Sequence, residues 1–334
     1  MFGYYILLFC SALIFSSQFL ITRQYQRRNG TGFLGAVKLS LFAYLTIALF
    51  FFVKGCITTK SLNFGFSWFT LFMTLLIAVV SLSCVYMGIK VLAVGDMSIY
   101  SVFMMLGSLV LPSIVGLVFY KEELTLLKGI ALLLMITAIV FSVSSVDKEK
   151  LNVKAILYYI GIFVMNGMIG VLFTIHQNQA ALTAANIQVL EGSEIKYFVN
   201  NDVFMTWYGL STVLLAGIVF AVYYLLKKIK PAVALKLSSN DGIAVEKESV
   251  AKAFAITVGL AALYGLCNGL GDYFIAIATQ PHALGSSVTF PIINGGTIVF
   301  STLSGLIFFK EKLNKATVIS LILVMISTVT FMFV

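Results

Sequence analysis

The two halves of this chain contain closely similar stretches of sequence. The stretch GLVFYKEEL at residues 116–124 matches GLIFFKEKL at residues 305–313, and each is followed by a long apolar run. A second match joins the starts of the halves, where residues 4–21 and residues 158–175 share tyrosines, phenylalanines and isoleucines at the same spacing. An internal repeat in an apolar chain is typical of transporters built from two related helix bundles.

Composition and run length indicate a membrane protein. Of the 334 residues, 60% are hydrophobic and only 10% are charged, whereas soluble proteins average roughly 45–50% apolar and about 25% charged residues. A run of about 20 apolar residues is long enough to cross the hydrocarbon as a helix, and it is too long for a strand of an outer-membrane barrel. The predicted spans are 3–21, 33–53, 65–88, 98–119, 126–145, 155–175, 203–226, 253–277, 286–309 and 316–334.

These spans predict an all-α membrane protein with ten transmembrane helices arranged as two five-helix repeats. The first repeat covers residues 1–145 and the second covers residues 155–334. Because an odd number of crossings ends each half on the side opposite its start, the second half is predicted to be inverted relative to the first. A pseudo-two-fold axis in the membrane plane would then relate the halves.

The basic residues predict the orientation. The net charge is +9, and 17 of the 22 Lys and Arg residues fall in alternate loops. By the positive-inside rule those loops are cytoplasmic, which places both termini outside the cytoplasmic membrane. Because the basic residues follow the loops and form no basic soluble domain, nucleic acid is not a predicted partner. The five basic residues outside these loops are Lys54, Lys60, Lys121, Lys128 and Lys196.

Asp272 is the only carboxylate well inside a predicted span. Asn268 lies four residues earlier on the same helical face, among glycines that would allow another helix or a solute to approach the backbone. Polar groups are costly in hydrocarbon and commonly mark solute or ion pathways. The pair therefore suggests a solute-binding site, and hydrogen bonding between helices is the structural alternative.

Further polar residues occur in both halves. Asn166 lies in the sixth span, and Gln18 lies in the matching part of the first span. A solute site at the interface between two repeats would be lined in this way. In the ninth span, Pro291 and Asn294 precede paired glycines, and an interruption of the helix there would free backbone groups to bind solute. The structural alternative for Asn166 and Gln18 is hydrogen bonding between helices. The alternative for the stretch with Pro291 and Asn294 is an ordinary proline kink.

The sequence contains no enzyme-like constellation. The two histidines, His176 and His282, are predicted to lie near helix ends in unrelated loops, and no GxxxxGK or GxGxxG loop is present to bind a nucleotide. No cofactor is predicted. Transport would therefore be driven by the solute gradient or by a coupled ion, and Asp272 is the candidate proton site. Glu122 and Glu311 are predicted to be partners of helix starts rather than solute ligands.

The repeated closing phrase carries a family resemblance. A helix with a central proline, Pro112, leads to the phrase containing Glu122, and the phrase returns around Glu311 before the last apolar run. This pattern resembles EamA-type members of the drug/metabolite transporter superfamily. The resemblance implies a ten-helix inverted-repeat bundle that moves small metabolites, amino acids, sugars or drugs across the inner membrane. It also implies cytoplasmic termini, in contrast to the loop charges.

The sequence as a whole thus favours a secondary transporter of small polar or amphipathic metabolites that works by alternating access, with export as the favoured direction. Its predicted partners are a small-molecule solute, the lipid bilayer and a coupled proton. Import of a sugar or similar nutrient is the alternative within transport. A membrane assembly or sensory subunit that moves nothing is the alternative of another class, although such a protein needs no inverted repeat with polar groups in both halves.

Overall fold

A computed structural model describes residues 2–60, 65–94, 97–119, 125–144, 153–187, 200–229, 250–279, 284, 286–311 and 313–333. The described residues form ten helices and no strand. In chain order these are α1 (Phe2–Asn29), α2 (Phe33–Thr59), α3 (Trp68–Val94), α4 (Met97–Phe119), α5 (Leu126–Ser144), α6 (Val153–Ile187), α7 (Asn201–Ile229), α8 (Val250–Ala278), α9 (Ser286–Phe309) and α10 (Lys315–Met332).

The prediction of an all-α protein is confirmed. Eight of the ten helices are long and apolar enough to cross a membrane. The other two, α5 and α10, contain shorter apolar stretches, Leu126–Ala138 and Lys315–Phe331. Each predicted span overlaps one helix, which follows from the high cost of leaving backbone groups without hydrogen bonds in hydrocarbon.

Apolar side chains are exposed and many polar side chains are buried, as expected for a protein surrounded by lipid. Ile57, Phe119 and Ile307 are each more than 70% exposed, whereas Ser101 and Thr70 are fully buried. In water, so much exposed apolar surface would promote association, but lipid chains are as apolar as these side chains. The chain is therefore a multi-pass membrane protein.

Two helices extend well past their predicted spans. The first span was predicted to end at residue 21, but α1 continues to Asn29, and α6 continues to Ile187 rather than ending at residue 175. The apolar run marks only the depth of the hydrocarbon, and backbone hydrogen bonding continues the helix beyond it. His176 consequently lies inside α6, so its predicted position in a loop is wrong.

The helices of the two halves interleave. Helix α2 packs against α7, α4 against α9, and α5 against α10. Helix α1 packs against α8 and α9, and α6 packs against α3 and α4. If each helix is replaced by the helix five places away along the chain, these contacts of α1 become those of α6 and the reverse. The pairs α2–α7, α4–α9 and α5–α10 stay the same.

Glycines allow the closest of these approaches. A Cβ atom placed on Gly209 of α7 would lie 2.8 Å from the Cβ of Ala48 on α2. Gly265 of α8 similarly faces the backbone of Ala43, so the predicted role of the α8 glycines in close packing is confirmed. Small residues at such positions let two backbones pack closely in the membrane.

We expect Gly209→Leu to lower the free energy of unfolding by about 1–3 kcal/mol, because the new side chain must displace α2. Gly217→Leu is the matched control on the same helix, since a Cβ at Gly217 meets nothing within 4 Å. Thermal unfolding of the purified proteins in detergent would measure both. Equal unfolding midpoints for the two variants would contradict the packing described for α2 and α7.

Candidate functional site

A cavity of about 60 Å³ lies between eight of the helices, and α5 and α10 contribute nothing to its lining. This volume accommodates about four to six water molecules or a solute of similar bulk. The lining side chains come from both halves of the chain. The lining residues are Phe15, Thr22, Tyr44, Ser81, Cys84, Val85, Tyr100, Met104, Met105, Ser108, Asn166, Ile169, Gly170, Phe173, Tyr208, Tyr264, Asn268, Asp272, Ile275, Phe290 and Asn294.

A row of hydrogen bonds connects α1 and α8 at the cavity. Gln18 Nε2 donates to Asn268 Oδ1 at 2.9 Å, and Asn268 Nδ2 donates to Asp272 Oδ2 at 2.9 Å. The four-residue spacing places Asn268 and Asp272 one turn apart on α8, and both line the cavity. Gln18 lies outside the lining, is 1% exposed and orients Asn268 from behind.

The Asp272 carboxylate is buried without a charged partner. It is 9% exposed, and among the described residues its only hydrogen-bond donor is Asn268 and it forms no ion pair. Burial of an unpaired carboxylate in a low-dielectric interior is costly. A cation or a proton at this position would lower that cost.

Two more predicted residues reach the cavity from α6 and α9. Asn166 Nδ2 donates to the backbone oxygen of Met104 at 2.7 Å, which ties α6 to α4. The Asn294 side chain is 3% exposed; its Oδ1 accepts from Ser108 Oγ at 3.1 Å, while its Nδ2 has no partner among the described residues. Pro291 is buried within α9, which continues through it as a helix, and Pro291 is absent from the lining.

Tyrosines form much of the remaining wall. The hydroxyl of Tyr208 is 2.9 Å from that of Tyr44 and 2.8 Å from Ser81 Oγ, so α2, α3 and α7 meet in one polar cluster. Tyr44 and Ser81 were not predicted from the sequence. Tyrosines usually lie at the membrane interface, so a tyrosine in the middle of a span is the signal that could have found Tyr44.

A charged cluster lies at one end of the bundle; we call it the Lys54 cluster. Lys54 Nζ, near the end of α2, is 2.7 Å from Asp202 Oδ1 at the start of α7. The same nitrogen donates to the hydroxyl of Tyr273 on α8 at 2.8 Å. Tyr273 directly follows Asp272, so this cluster adjoins one end of the cavity.

A second charged cluster, the Glu311 cluster, lies at the opposite end. Glu311 Oε1 accepts a hydrogen bond from the backbone nitrogen of Met97 at 2.7 Å and lies 3.9 Å from Arg23 Nη2. The Arg23 guanidinium also lies over the ring of Phe309. Because residues 30–32 join the end of α1 to the start of α2, Arg23 and Lys54 lie at opposite ends of the bundle. Arg23 directly follows the cavity residue Thr22.

Glu311 serves a helix start, as predicted, but the helix belongs to the other half of the chain. Its carboxylate caps α4 at Met97, whereas α10 is capped by Asn314, whose side chain accepts from the nitrogen of Thr317. Only the folded arrangement brings α4 and α9 together, so chain order could not reveal this pairing. Glu122, the counterpart in the first repeat, lies outside the described residues.

His176 is absent from the cavity lining. His176 is 1% exposed and is stacked between Phe69 and Phe204, with Nε2 3.0 Å from Thr70 Oγ1. His282 lies outside the described residues. Within the part of the chain that the structure describes, no group of three His, Cys, Asp or Glu side chains is arranged to hold a metal ion.

Comparison with known proteins shows a shared fold. No protein-family model and no curated protein sequence matches the chain. A solved structure described only as "Crystal structure of protein" superposes with a TM-score of 0.62, at 13% sequence identity, over 99% of this chain and 98% of the other. At this identity the match indicates a common architecture along the whole chain and says nothing about activity.

Proposed function

We propose that this protein is a secondary transporter of small polar or amphipathic solutes that works by alternating access, as an EamA-type member of the drug/metabolite transporter superfamily. One observation carries the proposal. A small cavity is lined by both halves of the chain, and a few polar side chains, among them Asp272 and Asn294, reach it through a mostly apolar wall. It lies between two charged clusters at opposite ends of the bundle. A binding site of this kind, with a closable contact at each end, is what alternating access requires.

The helix contacts support a ten-span inverted repeat. A shift of five helices maps the contacts of α1 with α8 and α9 onto those of α6 with α3 and α4. The pairs α2–α7, α4–α9 and α5–α10 each join corresponding helices, as expected for elements related by a two-fold axis. In this proposal α5 and α10 also cross the bilayer and pair at the edge of the bundle, away from the solute.

The two clusters provide the contacts that would open in turn. The Lys54 cluster joins α2 of the first half to α7 and α8 of the second, and the Glu311 cluster joins α1 and α4 to the residues after α9. If the halves rock against each other about the cavity, one cluster separates while the other remains closed. The cavity of about 60 Å³ is small beside ordinary ligand sites of about 300–1,000 Å³, which fits a state closed at both ends.

A proton at Asp272 is the proposed coupling ion, and export across the cytoplasmic membrane is the proposed direction. We expect solute flux by the wild-type protein to depend on pH and flux by Asp272→Asn to be independent of pH, because the amide cannot titrate. Flux into proteoliposomes at several external pH values would measure this. A pH dependence retained in Asp272→Asn would exclude Asp272 as the coupling site.

The experiment that tests the proposed function is a flux screen with the purified protein in proteoliposomes. Vesicles loaded with amino acids, sugars, amines or nucleosides would be diluted into radiolabelled solute, and counterflow would be followed. We expect saturable counterflow for at least one small solute and none in protein-free vesicles. A complete absence of counterflow in folded, reconstituted protein would favour an assembly or sensory subunit.

The loop charges predict the orientation, with both termini outside. We expect a C-terminal alkaline phosphatase fusion to be active, because that enzyme folds only outside the cytoplasm, and a C-terminal green fluorescent protein fusion to be dark. The loop that contains Glu311 is one of the lysine-rich loops predicted to be cytoplasmic, with Lys310, Lys312 and Lys315. The opposite pair of results would show cytoplasmic termini and would place this loop outside.

A further inference from the structure

We propose that the cavity selects a small organic cation that also carries a hydroxyl or carbonyl oxygen. This ligand class deepens the proposed transport function and rests on it. Two side chains of the lining define the ligand: Asp272 on α8 would bind the positive group, and Asn294 on α9 would donate to the oxygen.

The cationic part of the ligand follows from the charges at the cavity. Asp272 is the only charged residue in the lining, which contains no Lys, Arg or His. Its carboxylate has no ion pair among the described residues, and Lys54 is held by Asp202 beyond Tyr273. An anionic ligand would meet an uncompensated negative charge in a low-dielectric interior, whereas a cation would neutralise it.

The aromatic wall favours the same ligand. Tyr44, Tyr208 and Tyr264 line the cavity together with Asp272, and tyrosine ring faces attract organic cations, most strongly where water is excluded. The other titratable side chains of the lining are these three tyrosines, Tyr100 of α4 and Cys84 of α3, and all are neutral near pH 7. No other group in the lining therefore competes with the ligand for Asp272.

The oxygen of the ligand follows from Asn294. Its Oδ1 lies 3.1 Å from Ser108 Oγ, whose single hydroxyl hydrogen is shared with the Met105 carbonyl oxygen at 3.0 Å. The Nδ2 of Asn294 is buried and has no partner among the described residues. Buried donors nearly always have a partner in native structures. A hydroxyl or carbonyl oxygen of the ligand would accept a hydrogen bond from this donor. A ligand carboxylate would be repelled by the carboxylate of Asp272.

The bulk of the ligand is limited by the cavity. A volume of about 60 Å³ corresponds to about four to six water molecules, which is close to the size of a small amino alcohol. Choline is a suitable probe because its charge is permanent and each of its two functional groups can be replaced singly. The test therefore uses four compounds: choline, its neutral carbon isostere 3,3-dimethylbutan-1-ol, propyltrimethylammonium, in which methyl replaces the hydroxyl, and glycine betaine.

Binding to the purified full-length protein in detergent would be measured by calorimetry and by thermal stabilisation. We expect choline to bind about tenfold or more tightly than either the neutral isostere or betaine, and more tightly than propyltrimethylammonium. Asp272→Asn should abolish the preference for choline over the isostere. Asn294→Ala should abolish the preference for choline over propyltrimethylammonium. Lys228→Met, which changes the net charge by one at an exposed position outside the cavity lining, should leave both preferences unchanged.

The wild-type comparison alone can overturn the inference, even if a variant fails to fold. Equal or tighter binding of the neutral isostere or of betaine would do so, as would binding of none of the four compounds. Because binding is measured without flux, such a result leaves the proposed transport function to be judged by the counterflow screen. Counterflow of neutral solutes alone would retain transport and reject the cation.

Discussion

Replacing Asn268 with alanine is expected to weaken the apparent affinity for the transported solute by about tenfold to a hundredfold. The Asn268 amide accepts from Gln18 and donates to Asp272, both at 2.9 Å. Asn268 also lines the cavity, and loss of a buried hydrogen bond between this amide and the solute would cost about 1–3 kcal/mol of binding free energy. Because each 1.4 kcal/mol is a factor of ten in affinity, the effect falls in the stated range.

The measurement is the concentration dependence of counterflow for the solute identified in the flux screen. Asn314→Ala is the matched control, because it removes the cap of α10 at a cost in stability of typically about 1 kcal/mol, and Asn314 is not among the residues that line the cavity. If Asn268→Ala lowers thermal stability as Asn314→Ala does and leaves the solute affinity unchanged, Asn268 only joins helices. The solute site would then be sought around Asn294.

Replacing Lys54 with methionine is expected to lower the free energy of unfolding by about 3 kcal/mol. The Asp202 side chain is 7% exposed, and Lys54 Nζ lies 2.7 Å from its carboxylate. Truncating one partner of a buried ion pair leaves an uncompensated charge and costs about 3–5 kcal/mol. Because the Lys54 side chain is 34% exposed, solvent reduces that cost toward the lower value.

Removing both charges should recover most of this loss, because a buried pair replaced by apolar groups is often neutral in stability. We therefore expect Lys54→Met with Asp202→Leu to unfold at a higher temperature than Lys54→Met alone. Lys228→Met, at an exposed position in the last turn of α7, controls for the loss of a lysine. A double variant whose loss of stability equals the sum of the two single losses would show that the pair has no specific coupling.

The helices could be predicted from the sequence because apolar runs long enough to cross a bilayer have few alternatives to helix. The spacing of Asn268 and Asp272 was enough to place both on one face. Tyr44, Ser81 and Ser108 were missed because a membrane helix buried in a bundle has little polar periodicity to mark its inner face. The contacts of Gln18 with Asn268 and of Glu311 with Met97 join distant parts of the chain, so they depend on which helices pack together.

Cys84 provides the most direct test of alternating access, because it lines the cavity and is 4% exposed. Cys10, Cys56 and Cys267 would be replaced with alanine, and a membrane-impermeant maleimide would be applied to each side of the membrane. We expect the wild-type thiol to be labelled from both sides. Glu311→Gln should increase labelling from the Glu311 end, and Asp202→Asn should increase it from the Lys54 end. Labelling from the same side in all three proteins, or no labelling in any, would contradict alternating access.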